Sequence, residues 1–151
     1  MARVPRKYVL DTNCFIAAAR DPIANAAFET FCADSSPGLY LSAVVAAELR
    51  AGAGRSRSHL ERVVLAPYTR RGRVLTPSAR SWEAVGDTLA TLRARHGLAL
   101  SDAPRRFSFD ILIAHSCREA GAILVSANTR DMERIARVFA FDFVAPYPTK
   151  S

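Results

Sequence analysis

The sequence predicts an α/β protein, a three-layer α/β/α sandwich on a mostly parallel central sheet. Short apolar runs alternate with longer helix-patterned segments, the order that builds parallel sheets with right-handed crossovers and helices on both faces. One run, Ala122-Ile123-Leu124-Val125-Ser126, is apolar almost without a break, as a strand covered on both faces must be. Another, Tyr8-Val9-Leu10, runs straight into Asp11-Thr12-Asn13, an acid followed by two small polar residues that favour a turn or helix cap. That is how a parallel strand ends at the rim of an open sheet, where such sheets keep their ligand sites.

The remaining elements follow in order. Cys14 to Arg20 reads as a short helix, and Asp21-Pro22 opens a second whose apolar side carries Ala26, Ala27, Phe28, Phe31 and Cys32. Asp34-Ser35-Ser36-Pro37-Gly38 is a loop, Leu39-Tyr40-Leu41 a strand, and Ser42 caps a helix to about Ala51 that Gly52 and Gly54 stop. A helix is expected from Ser58 to about Tyr68, then a brief strand at Arg73-Val74-Leu75. Ser78 starts the longest helix, through Trp82, Val85, Leu89 and Leu92, with Trp82 in the core and His96-Gly97 at a solvent-facing end. Leu98 to Phe107 reads as a loop carrying Asp102, Pro104, Arg105 and Arg106. Ser108 then caps a helix over Phe109 to Gly121, with Asp110 in its first turn. After the Ala122 strand, a helix from about Asp131 to Val138 and a last short strand at Phe141 to Val144 complete the pattern.

With 151 residues, 50% hydrophobic and 23% charged, the chain fits one domain spanning 1–151, with no linker or low-complexity segment. No apolar signal core separates the basic start from Asp11, and the most apolar run, Leu39 to Leu49, is too short to cross a bilayer, so the expected location is the cytoplasm, away from membranes. Cys14, Cys32 and Cys117 are odd in number, lack CxxC spacing and read as small buried thiols.

The net charge of +7 and a pI near 10 point to a polyanionic partner. Between Arg50 and Arg73 lie Arg50, Arg55, Arg57, Arg62, Arg70, Arg71 and Arg73 against one acid, Glu61. A guanidinium fork suits phosphate, although a basic stretch also serves as a merely solvated face.

Four acids stand out, each with an ordinary alternative. Asp11 reads as a site residue or as the cap of the next helix. Glu48 shares a helix stripe with Val44, Val45, Ala51 and Gly52, so it looks inward, either toward a site or toward an arginine. Asp110 suits the dipole of its helix but is in register with Ile113, Ala114 and Cys117, and Asp131 reads as a cap or as a fourth acid. In a parallel sheet the strands ending at Asp11 and Ser126 finish on one edge, and the helices bearing Glu48 and Asp110 face it. Crowded carboxylates raise one another's pKa and are stable mainly around a divalent cation. Oxygen ligands without His or Cys suit Mg²⁺ or Mn²⁺. Apart from these four, 10 acids remain against 21 basic residues, a body of about +11 around an acidic cleft. That division suits a phosphodiester substrate.

The motifs Leu10-Asp11-Thr12-Asn13, Ala47-Glu48-Leu49-Arg50-Ala51-Gly52, Phe109-Asp110-Ile111-Leu112-Ile113-Ala114 and Ser126-Ala-Asn128-Thr-Arg-Asp131, in this order, resemble those of PIN-domain ribonucleases. In particular the chain resembles VapC-type toxins of bacterial toxin–antitoxin pairs, over about Tyr8 to Val144. The resemblance implies a PIN-like fold, Mg²⁺ or Mn²⁺ dependence, an RNA substrate, a small cognate antitoxin and a homodimer. It implies that Asp11, Glu48 and Asp110 are the regular acids, with Asp11 and Asp110 as direct metal ligands. It makes Thr12, Asn13 and Ser126 supporting groups. The fourth acid departs from the pattern: Asn128 stands where many relatives have aspartate, with Asp131 three residues on. Asn128 leaves room for another reading, an RNA-binding PIN-like module with little or no catalysis. An aspartyl-phosphate phosphatase built on Asp11 fits poorly, because Asn13 holds the place where such enzymes usually carry a second aspartate.

Overall fold

The computed structural model describes residues 5–98 and 105–149. Five parallel strands form one sheet in the order β3-β2-β1-β4-β5: β1 Lys7–Leu10, β2 Leu39–Ser42, β3 Val74–Leu75, β4 Ala122–Val125 and β5 Phe143–Val144. Leu10 pairs with Val125 and Val9 with both Leu124 and Tyr40, so β1 is the central strand. The two-residue strands β3 and β5 sit at the edges, where short length limits unwanted pairing.

Helices α1 (Thr12–Arg20), α2 (Pro22–Ser35), α3 (Ala43–Gly52), α4 (Arg57–His59), α5 (Ala66–Arg70), α6 (Ala79–His96), α7 (Arg105–Ala120) and α8 (Thr129–Ala136) complete the α/β/α sandwich. Local chemistry sets most of their starts. The Ser42 hydroxyl accepts from the Val44 and Val45 N–H groups, Pro22 opens α2 behind Asp21, and Ser78 accepts from Ser81 N–H. Gly97 and Gly121, at φ 68° and 65°, follow α6 and α7 in the left-handed conformation that glycine tolerates.

The chain leaves β1 toward β2 on one side and leaves β4 toward β5 on the other. The carboxyl ends of β1 and β4 therefore flank a topological switch point, the crevice in which open α/β sheets hold ligands. The core beneath it comprises Val9, Leu10, Leu124 and Val125 from the sheet and Ile111, Leu112, Ile113 and Ala114 from α7, none more than 2% exposed. Four successive buried residues mean that α7 is covered nearly all round, and α3, α6, α8 and β4 pack against it.

The structure corrects several expectations. α7 begins at Arg105, so Ser108 is not its cap and Asp110 lies in the second turn, past the reach of a terminal dipole. Of the expected loop, 99–104, with Asp102 and Pro104, lies outside the described residues. The segment from Ser58 is broken: Leu60–Leu65 is π-helical between α4 and α5, and Ala66 N–H reaches Glu61 O. The widening falls just before Pro67, which cannot donate to an ordinary turn. Trp82 is 59% exposed rather than in the core. The inward face of α6 carries Ser81, Thr88 and Leu92, and Trp82 lies about 100° round the helix from Ser81. A small residue at that place lets α6 approach α7, where the Ser81 hydroxyl donates to Glu119 Oε1 at 2.9 Å and lies 2.9 Å from His115 Nδ1. Cys14 and Cys117 are buried as expected, Cys32 is half-buried, and all three thiols are free. Among the described residues no helix is long and apolar enough to cross a membrane.

Candidate active site

The site grows from the end of β1. Asp11 N–H donates to Val125 O at 2.9 Å, so the strand ladder holds the residue one step past the strand. Its carboxylate is 3% exposed and well supplied with donors. Thr12 N–H reaches Oδ1 at 2.8 Å, while the Ser126 hydroxyl at 2.6 Å and the Asn13 amide at 3.2 Å both donate to Oδ2. Asp11 is thus both the cap of α1 and a fixed member of a larger network. Asn13 also donates to Ser126 Oγ at 3.1 Å and accepts from Ala127 N–H at 3.0 Å; Asn128 N–H donates to Ser126 Oγ at 3.1 Å. These bonds stitch the turn after β1 to the turn after β4.

Asp110 stands opposite in character. It is 4% exposed, and its Oδ2 is buried with no hydrogen-bond partner among the described residues. Burial, then the charges of Asp11 and Glu48, push its pKa up to about 8, with Arg106 opposing and Asp131 adding a little. A buried carboxylate oxygen left without a donor is costly.

Glu48 faces inward from α3, half-buried, and Thr12 Oγ1 donates to its Oε1 at 2.9 Å. Its pKa is raised by burial; the Thr12 bond opposes that shift, and Asp11 adds to it. The arginine expected as its alternative partner makes no ion pair with it among the described residues; the Thr12 hydroxyl meets it instead. Asp131, in the first turn of α8, accepts from Asn128 Nδ2 at 2.9 Å and pairs with Arg134 at 3.3 Å. Its charge is therefore largely answered at the rim, and Asn128 serves as its donor.

Four helices and two strand ends thus bring Asp11, Glu48 and Asp110 within electrostatic reach of one another, with Asp131 further out. Among the described residues no group of three acids, histidines or cysteines is drawn tight enough to encage an ion. The donor set still fits a hard divalent cation, because Asp110 presents a buried oxygen that no described residue meets, within electrostatic reach of the Asp11 carboxylate. Mg²⁺ is commonly held by one or two carboxylates and several waters. A hollow of about 820 Å³ between Phe31, Gly38 and Tyr147 is lined by none of the four acids.

The basic stretch is less available than its sequence suggests. Glu61 takes both Arg50 (2.6 Å) and Arg57 (2.8 Å), and Arg73 donates to Ser36 O at 2.6 Å. Arg106, expected in a loop, instead lies in the first turn of α7 and acts on both Glu48 and Asp110. Its spacing of four from Asp110 was the signal in the sequence, readable once the helix start is known.

Comparison with solved structures agrees with this architecture. A DNA-bound VapBC structure from Salmonella typhimurium is similar over 94% of this chain and 99% of that one, with a TM-score of 0.68 and 23% identity. FitAcB from Neisseria gonorrhoeae is similar over 94% and 99%, with a TM-score of 0.69 and 20% identity. FitAB bound to an IR36 DNA fragment gives 95% and 98%, 0.69 and 18%. At these identities the likeness is one of fold. No curated protein sequence matches the chain. The PIN domain model matches residues 8–138, a span that runs from β1 through α8 and takes in all four acids. PIN domains are generally nucleases that use divalent metal ions. On that match over most of its length, the chain belongs to the PIN domain family.

Proposed function

We propose that the chain is a Mg²⁺- or Mn²⁺-dependent endoribonuclease, the toxin of a bacterial toxin–antitoxin pair, forming one nuclease domain over 1–151. The observation that carries this reading is the buried Oδ2 of Asp110, met by no described residue and within electrostatic reach of Asp11 and Glu48 at the sheet's switch point. Asp11 and Asp110 would hold the cation. When bound, such an ion supplies Lewis-acid charge that offsets the negative charge building on a phosphodiester during hydrolysis. Asp11, fixed by Thr12, Asn13 and Ser126, anchors one side of the site. Glu48, with its raised pKa and one oxygen held by Thr12, is suited to take the attacking water's proton on the other oxygen. Asp131 contributes from the rim, chiefly by orienting Arg134.

RNA as the substrate rests on the likeness of the four motifs to VapC-type toxins and on the basic body around the acidic cleft. An antitoxin partner is proposed from the VapBC and FitAB assemblies that share this fold, with a homodimer as the state of the toxin. The test is cleavage of RNA by the purified chain with Mg²⁺ or Mn²⁺, abolished by a chelator and by Asp110→Asn. Expression of the chain alone should arrest growth, and the product of a short neighbouring reading frame should relieve the arrest. A second reading, an RNA-binding module without catalysis, draws on Asn128 and on Asp131 being engaged by Arg134. Tight RNA binding with no cutting in either metal would favour it.

A further inference from the structure

We propose that Arg106 is a substrate-binding residue that grips a phosphate of a single-stranded polynucleotide at the mouth of the acidic cleft. The proposal deepens the nuclease reading above and rests on it for the identity of the substrate. Arg106 precedes Asp110 by four residues on α7, so the two share a helix face with about 6 Å between their Cβ atoms. Helical side chains lean toward the N-terminus, which carries the Asp110 carboxylate back toward the turn that holds Arg106. Asp110 is buried and Arg106 exposed; the acid therefore lies at the floor of the cleft and the guanidinium at its lip.

The charge of Arg106 is felt by Glu48 on α3 as well as by Asp110 on α7, so it stands within electrostatic reach of both acids. Other arginines with defined partners are committed elsewhere. Arg134 pairs with Asp131 and lies 5.0 Å over the Phe107 ring, Arg50 and Arg57 converge on Glu61, and Arg73 holds Ser36 O. Among the described residues Arg106 makes no hydrogen bond and no ion pair. No described residue takes up its donors, and it stands beside carboxylates that would otherwise repel a polyanion. A planar guanidinium whose donors no described residue takes, next to a cation-competent acid pair, is suited to forked phosphate binding.

The competing account is that Arg106 only offsets the acids' charge. Binding of a single-stranded oligoribonucleotide of about 20 nucleotides, titrated in EDTA across a range of KCl, separates the two. Arg106→Gln is expected to weaken binding about tenfold and to reduce the slope of log affinity against log salt by about 0.7, one phosphate contact on a single strand. Arg106→Lys should fall between Gln and wild type, and Arg105→Gln, on the adjacent exposed position, should match wild type. Melting curves of the variants should coincide, since Gln and Lys keep helix propensity at an exposed site. Unchanged affinity and slope in Arg106→Gln would overturn the proposal, as would a wild-type chain that does not bind RNA. Failure of the nuclease reading shows separately, as RNA left intact in Mg²⁺ while the Arg106 binding difference persists.

Discussion

The two buried aspartates of the cleft are opposites. Asp11 receives three hydrogen bonds, from Thr12, Asn13 and Ser126, and each donor is itself placed by a strand end or a turn. Asp110, on the most deeply packed helix of the molecule, has an oxygen that no described residue meets. One carboxylate is satisfied by the protein, while an oxygen of the other meets no described residue. A fold satisfies its buried polar groups almost everywhere, and on the function proposed above this exception is a place where stability is conceded to activity.

The strongest way to break the contrast is Asp110→Asn. RNA cleavage should fall by on the order of 10²–10³ or more. The same change should stabilise the protein in a chelator. The Asp110 carboxyl is raised in the fold from 3.8 to about 8, so its stabilising contribution is complete below pH about 4 and disappears as the pH climbs through 8. At pH 8 the Asn variant should therefore exceed wild type by roughly 2–4 kcal/mol. The corresponding rise in melting temperature is about 5–10 °C. Added Mg²⁺ should raise the melting temperature of wild type and not of the variant. A variant less stable than wild type in EDTA at pH 8 would remove the contrast.

The anchored side should respond in the other direction. Ser126→Ala and Asn13→Ala should each lower stability by about 1–3 kcal/mol and activity by roughly 10- to 100-fold. A double-mutant cycle between them should show coupling of about 1 kcal/mol, because both act through the same Asp11 oxygen. Additive losses in thermal or urea unfolding would mean the two turns are not stitched together. A gentler change is Thr12→Val. The Thr12 bond lowers the Glu48 pKa, so its loss raises that pKa, and the acidic limb of the cleavage profile should move to higher pH. Asp131→Asn should have the smallest effect, less than about tenfold on cleavage, since Arg134 and Asn128 already answer that charge.

Much of this was readable in the chain. The uninterrupted apolar run before Ser126 and the strand ending at Asp11 are periodicity signals that depend on a few adjacent residues, and β1 and β4 do pair in parallel. Glu48 looks inward because its helix stripe says so. The start of α7 was not readable: Ser108 is a good cap by type, yet the helix runs past it to Arg105. Phe107 is 4% exposed and lies under Arg134, so packing extends the helix where local capping preference would have ended it. Trp82 lies outside its expected place in the core for a related reason, since several stripes on α6 look apolar and only the neighbour α7 selects the one that is buried.

The sequence by itself determined the elements, their parallel order and the carriers of charge, because short-range pattern and residue chemistry suffice for those. Only the tertiary structure decided which donors answer which acids: Ser126 reaches Asp11 across 115 positions, Glu61 absorbs two arginines, and Asp110 keeps an oxygen that no described residue meets. Those outcomes turn on distances of a few ångströms between segments far apart in the chain. Hydrogen bonding and desolvation are decided at that scale, which no local pattern encodes.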